Sequence, residues 1–191
     1  IKEEIKRKTK EITEGIKNWI HEKMTVKKYT AQEVKNLKLT RNFSASEFAC
    51  NHCGELILSD ELVQKLQLFR DQIGSPIQIT SGYRCPYWNK HEGGSSASLH
   101  TKGTAVDINL YGKFNGVEIL NKAVKVFNRV GFYQSNRTGY CYMHVDVSPQ
   151  KLYWLARKVR GQNKYEYFNT MDMLHARMRN DSAIDWYKLL I

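Results

Sequence analysis

No run of 18 apolar residues occurs in this chain, so no transmembrane helix is expected. Residues 1–10 are charged and lack the apolar stretch of a signal peptide, and the first residue is Ile rather than Met. Proline is scarce, at three residues, and no internal repeat or low-complexity tract interrupts the sequence. Cysteine is limited to Cys50, Cys53, Cys85 and Cys141. At 191 residues the chain can bury a core without disulfides. Wholesale disorder is excluded by 41% hydrophobic and 12% aromatic residues.

Acidic residues are also in deficit, 19 against 30 basic, for a net charge of +11. The excess is uneven. Residues 1–40 carry +5 and residues 151–191 carry +4, whereas residues 41–150 carry only +2. A nucleic-acid-binding domain usually carries its basic stripe on the folded core. No nucleic-acid partner is therefore expected. The pattern is that of a central module with basic flanks, which could hold the protein near an anionic surface.

Three segments follow: a basic amphipathic helix and linker (1–40), a central domain (41–155) and a C-terminal extension (156–191). In the first, Ile5, Ile12, Ile16, Trp19 and Ile20 share one helical face. That face fits packing on its own domain, self-association or docking to a partner. Residues 24–42 show weak local preference. In the centre, a short capped turn is expected at Ser44–Phe48. A helix runs from Ser59-Asp60 to a stop at Gly74, and a strand covers 76–80. Residues 84–99 read as a long loop. A strand at 104–110, a helix at 115–130 and a strand at 140–147 complete the pattern. The fold class is α+β, with helices on a small antiparallel sheet and helical extensions at both ends.

His100, Asp107 and His144 are the candidate metal ligands. A turn leads from His100 into the strand that carries Asp107. On the strand at 140–147, Tyr142, His144 and Asp146 share a face, because side chains alternate with period two. Two imidazoles and a carboxylate suit Zn²⁺ in a three-ligand site that keeps a position open for water. By spacing alone the triple fits equally well two hydrogen-bonded histidines and a capping aspartate.

The strings Ser81-Gly82-Tyr83-Arg84-Cys85-Pro86-Tyr87-Trp88-Asn89, Gly93-Gly94, Ser98-x-His100-x-x-Gly103-x-Ala105-x-Asp107 and His144-x-Asp146 together resemble the zinc D-alanyl-D-alanine carboxypeptidase family. Phage endolysins and cell-wall peptidases belong to this branch. The wider superfamily takes in the vancomycin-resistance dipeptidases, lysostaphin-type enzymes and the Hedgehog signalling domain. The resemblance covers about residues 43–150.

It implies zinc ligands His100, Asp107 and His144, and Arg84 as the group that polarises the scissile carbonyl. Ser98 becomes a substrate-contacting hydroxyl, Tyr142 a substrate neighbour, and Gly103 and Ala105 positions where bulk would crowd the site. It also implies hydrolysis of peptide bonds next to D-amino acids in bacterial peptidoglycan, at the cell wall. With no signal peptide visible, that points to a phage-type lysin, holin-released or virion-associated. A zinc-holding module without turnover, part of a larger assembly such as a virion, is the alternative.

One position departs from the family. Many relatives place the general base three residues before the second histidine, where this chain has Cys141. Lysostaphin-type enzymes place a histidine two before it, where this chain has Tyr142. Asp146 is the replacement expected here, either as base or as the carboxylate that orients His144. His91 and Glu92 are the remaining candidates for the proton. For Cys50-Asn51-His52-Cys53 and Cys85, a disulfide, free thiols and a second metal all remain open.

Overall fold

The computed structural model describes residues 2–4, 6–11, 25–110, 114–134, 141–159, 162–180 and 189–190. Residues 2–4 and 6–11 are helical (α1). The apolar face expected for this segment rests on Ile5, Ile12, Ile16, Trp19 and Ile20, which lie outside the described residues.

Residues 25–42, expected to be a plain linker, contain structure. Strand β1 (Val26–Tyr29) pairs antiparallel with β2 (Leu56–Ser59). Helix α2 (Ala31–Val34) starts at Thr30, whose Oγ1 accepts the Glu33 N–H while the Glu33 carboxylate accepts the Thr30 N–H. The reciprocal cap lets so short a helix form.

A 3₁₀ turn at Ala45–Glu47 lies where a capped turn was expected, with Glu47 accepting the Ser44 N–H at 2.8 Å. Helix α3 (Asp60–Ile73) buries Leu62, Leu66, Phe69 and Ile73 and ends at Gly74 in the left-handed conformation, φ 65°. Strand β3 (Ile77–Ser81) follows.

The expected loop at 84–99 contains helix α4 (Pro86–His91). Pro86 occupies its first turn, and the Cys85 Sγ accepts the Trp88 N–H at 3.4 Å. The glycines and serines that follow form the loop proper. Asn89, buried inside it, donates to the Ser95 carbonyl at 2.8 Å. A 3₁₀ helix (Leu99–Lys102) then leads into β4 (Ala105–Leu110).

Strand β5 (Phe114–Asn115) pairs with β10 (Leu189–Leu190). Helix α5 (Gly116–Val126) is shorter than expected, because Arg129 and Val130 already belong to β6 (Arg129–Gln134). Strands β7 (Cys141–Asp146), β8 (Leu152–Val159) and β9 (Gln162–Phe168) precede α6 (Met171–Arg179).

The main sheet has six strands in the order β3-β4-β7-β6-β8-β9. It is antiparallel except between β6 and β8, which run parallel, so the all-antiparallel expectation holds for four of five pairings. The C-terminal extension is not purely helical. A boundary after residue 155 would cut β8, and β9 extends the same sheet.

Strand parity separates the two faces. Val106, Ile108, Val130, Phe132, Met143, Val145, Tyr153 and Leu155 are buried in one core with residues of α3, α5 and α6. His175 of α6 bonds Asn121 of α5 at 2.9 Å, which ties those helices on that side. The opposite parity, Asp107, His144 and Asp146, faces away from the helices.

Gly103 (φ 68°) closes the turn before β4, and its carbonyl accepts the Ser59 N–H at 2.9 Å. A Cβ there would lie 2.1 Å from the Ile57 carbonyl oxygen. The crowding that forbids a side chain at this position therefore comes from β2 and not from the ligand cluster. At Gly74, φ is similarly positive but a Cβ would have no neighbour within 4 Å. Gly74→Ala should cost about 1 kcal/mol, the left-handed penalty alone. Gly103→Ala should cost about 2–4 kcal/mol, because overpacking against backbone adds to it. Urea denaturation of the two variants checks the difference; equal losses would contradict it.

Candidate metal centre

Two local devices deliver the three candidate ligands. His100 sits on the 3₁₀ helix whose first N–H groups are met by Ser98, with the Ser98 Oγ accepting the His100 N–H at 3.3 Å. Ser98 thus serves the turn, and this bond does not itself place its hydroxyl against a substrate. Asp107 and His144 are directly paired across β4 and β7. On one face of an antiparallel pair, such partners are close enough to touch.

The three side chains converge. The ligand atoms of His100, Asp107 and His144 all lie within 4.8 Å of one another. His144 Nδ1 is 2.9 Å from Asp107 Oδ1, and His100 Nε2 is 3.4 Å from Asp107 Oδ2. The two ring nitrogens are 3.3 Å apart. His100 and Asp107 are 4% and 6% exposed.

The outward nitrogens are held from behind. His100 Nδ1 lies 2.8 Å from the Gly82 carbonyl oxygen, an acceptor only, so that nitrogen carries the proton and donates. His144 Nε2 faces Asp146 Oδ2 at 3.3 Å. Both rings therefore turn their remaining nitrogen toward Asp107. Gly82 can approach because it has no side chain; a Cβ would lie 2.4 Å from the Phe48 carbonyl oxygen.

Asp146 is fully buried, with Oδ1 accepting the Ser148 N–H at 2.8 Å and Oδ2 lying 3.2 Å from Arg129 Nε. It stands on the opposite side of the His144 ring from the cluster. Arg84 NH2 donates to Asp107 Oδ2 at 2.6 Å, and Arg84 Nε donates to Ser81 Oγ at 2.8 Å. Ser81 thereby braces Arg84. His91 and Glu92 pair with each other at 3.4 Å, and the His91 ring stacks on Trp88 at 4.5 Å. Cys141 is on β7 in register with Leu110 and Gln134.

The electrostatics follow from these contacts. Burial raises the Asp107 pKa, but the hydrogen bonds and charge of His144 and His100 outweigh it and hold the carboxyl below the usual carboxylate range. Burial lowers the pKa of His144, yet hydrogen bonds and charge from Asp107 and Asp146 prevail and raise it to about 9. Tyr142 is pushed up by burial and by the Asp107 charge, so its phenol stays protonated and can donate.

Part of the site lies in the strands beyond β7. The sheet register sets Asp107, His144, Gly131, Trp154 and Tyr167 in one row across five strands. The Trp154 ring lies 5.3 Å from that of His144. It crosses β6 at Gly131, where a Cβ would meet the indole at 2.1 Å. The next row on the same face holds Tyr142, Tyr133 and Tyr165. Tyr133 packs edge-on against Tyr142, and Tyr165 stacks on Tyr167. The result is an aromatic ledge running outward from the ligand cluster, with Tyr165 and Tyr167 exposed. Nothing in its local sequence marks Trp154 as part of the site. The alternation Tyr165-x-Tyr167 was the available signal, but its value depended on knowing which strands are neighbours.

The profile of the peptidase M15 family matches residues 2–146. The chain belongs to the peptidase M15 family. The match begins well before the stretch that carries the motifs, and so takes in α1, β1 and α2. No curated protein matches the chain. Membership makes this M15 peptidase a hydrolase of the metallopeptidase type, and the family is typically zinc-dependent. The residues fit that metal: two imidazole nitrogens and a carboxylate converge, and the other nitrogen of each histidine is held by an oxygen.

In the metal-free protein His144 has a raised pKa, so its contribution to stability is fully present below the unfolded value near 6.5 and is lost as pH rises through about 9. Denaturation of chelator-treated protein should therefore show stability falling across that window. His144→Gln should flatten the fall. An identical slope in both proteins would contradict the Asp107–His144–Asp146 arrangement.

Proposed function

We propose that this M15 peptidase hydrolyses peptide bonds of bacterial peptidoglycan, in the D-amino-acid-containing stem peptide or cross-link, as a phage-type lysin. The observation that carries the reading is the buried His100–Asp107–His144 cluster with Arg84 at its edge. His100, Asp107 and His144 would hold Zn²⁺. When bound, that ion supplies a Lewis acid that polarises a carbonyl and lowers the pKa of water.

The chain's own residues supply the rest. Arg84 keeps a permanently charged fork of donors at the cluster, braced by Ser81, where it can meet negative charge developing on a carbonyl oxygen. Tyr142 keeps its proton and offers a second donor on the same face. Asp146 is enclosed behind His144 and shut off from solvent, so its role is to orient the imidazole, the second of the two roles open to it. Trp154 walls one flank of His144, and the ledge to Tyr167 offers a surface on which sugar rings or peptide methyl groups can pack. The basic flanks favour approach to an anionic envelope, an attraction that weakens with salt.

A second reading keeps the metal but not the turnover. It is favoured by Cys141 in the position where relatives carry the base and by the enclosure of Asp146. Mass spectrometry of purified muropeptides separates the two. Zinc-loaded protein should release a fragment with a new amine, and chelation or His144→Ala should abolish the release while circular dichroism stays unchanged. Asp146→Asn should retain activity lowered by about 10–100-fold, as for an orienting carboxylate. Uncut muropeptides with fully loaded protein would establish the non-catalytic module instead. Complete loss in a zinc-loaded Asp146→Asn variant would return Asp146 to the role of base.

A further inference from the structure

A second cluster lies outside the His100–Asp107–His144 site. The sulfurs of Cys50, Cys53 and Cys85 all lie within 4.8 Å of one another. We propose that these three thiolates hold a structural Zn²⁺, with the neighbouring His52 as the candidate for its fourth ligand.

The local geometry is that of a metal-binding turn. Cys50-Asn51-His52-Cys53 is a tight turn closed by the Gly54 N–H donating to the Cys50 carbonyl at 2.8 Å. The backbone N–H of Cys85 donates to the Cys50 sulfur at 3.3 Å, so the two loops meet at that atom. A peptide donor aimed at the sulfur favours the thiolate that a metal needs. The Cys85 sulfur accepts a further peptide N–H, from Trp88.

His52 stands beside one of the three sulfurs and could turn toward the other two. Its Nδ1 lies 3.6 Å from the Cys85 sulfur, and its ring packs against Tyr87 at 4.5 Å. Sulfur and nitrogen ligands on a tetrahedral zinc, with bonds of about 2.3 and 2.05 Å, sit about 3.6 Å apart. The odd count argues against a disulfide. One bond would join two sulfurs and leave the third, whereas a zinc ion engages all three.

The consequence is mechanical. Cys85 directly follows Arg84. Phe48, two residues before Cys50, accepts the Tyr83 N–H at 2.8 Å and crowds Gly82, whose carbonyl holds His100. A metal joining the 50–53 turn to Cys85 staples the two loops that set Arg84 and His100 in place. It needs no peptidase turnover, so its test is independent of the function proposed above.

The test is metal content by plasma mass spectrometry on full-length protein purified under reducing conditions with zinc. Two zinc ions per wild-type chain are expected, one in His144→Ala and one in Cys85→Ser. Should Cys85→Ser fail to fold, cobalt substitution of His144→Ala serves, since the remaining cobalt must show thiolate-to-metal charge-transfer absorption. His52→Ala should surrender the second ion faster to a chelator, and an unchanged rate would remove His52 from the site. A single zinc in wild type that disappears in His144→Ala would overturn the proposal. So would a peptide map with a disulfide between any two of the three cysteines.

Discussion

The buried carboxylate of Asp107 is the point on which the site depends. Left alone at 6% exposure it would be protonated or would destabilise the fold. Instead it meets His144, His100 and Arg84, at 2.9, 3.4 and 2.6 Å. Each of those groups is in turn held by something the fold provides: Asp146 for His144, the Gly82 carbonyl for His100, and Ser81 for Arg84. Taking away one partner leaves a charge with too little compensation in a low-dielectric place, which is why the cluster behaves as a unit.

Strand parity turns that constraint into a surface. Val106 and Ile108 must face the helices, so Asp107 must face away from them, and the same holds for Met143, Val145 and His144. One residue of slip would bury the ligands under α3 and α5. The row from Asp107 to Tyr167 extends the same logic across β6, β8 and β9, and Gly131 is the gap that lets the Trp154 indole reach His144.

The alternation of β4 and β7, the stop at Gly74 and the grouping of His100, Asp107 and His144 were legible in the sequence because each is local or carried by a dense string of motif residues. Other features were not. Helix α4 was hidden because its cap is a cysteine, an uncommon choice, and a glycine-serine stretch follows. The end of α5 was set too late because Arg129 and Val130 are ordinary helix residues that β7 and β8 recruit into β6. The parallel pairing of β6 with β8 joins segments separated by the whole of β7, and no local pattern encodes it. The meeting of Cys85 with Cys50 depends on the docking of two loops, which spacing does not reveal. Nor does spacing show which side of the His144 ring Asp146 occupies.

The basic excess sits away from the cluster in sequence, and the ledge and the His100–Asp107–His144 cluster share the face of the sheet opposite the core formed with α3, α5 and α6. The central claim remains the metal. Diffraction from zinc-loaded crystals on either side of the zinc absorption edge tests it directly. An anomalous peak bounded by His100 Nε2, the Asp107 carboxylate and His144 Nδ1 is the predicted result. No peak there, or zinc on the His144 Nε2 side beside Asp146, would contradict the account.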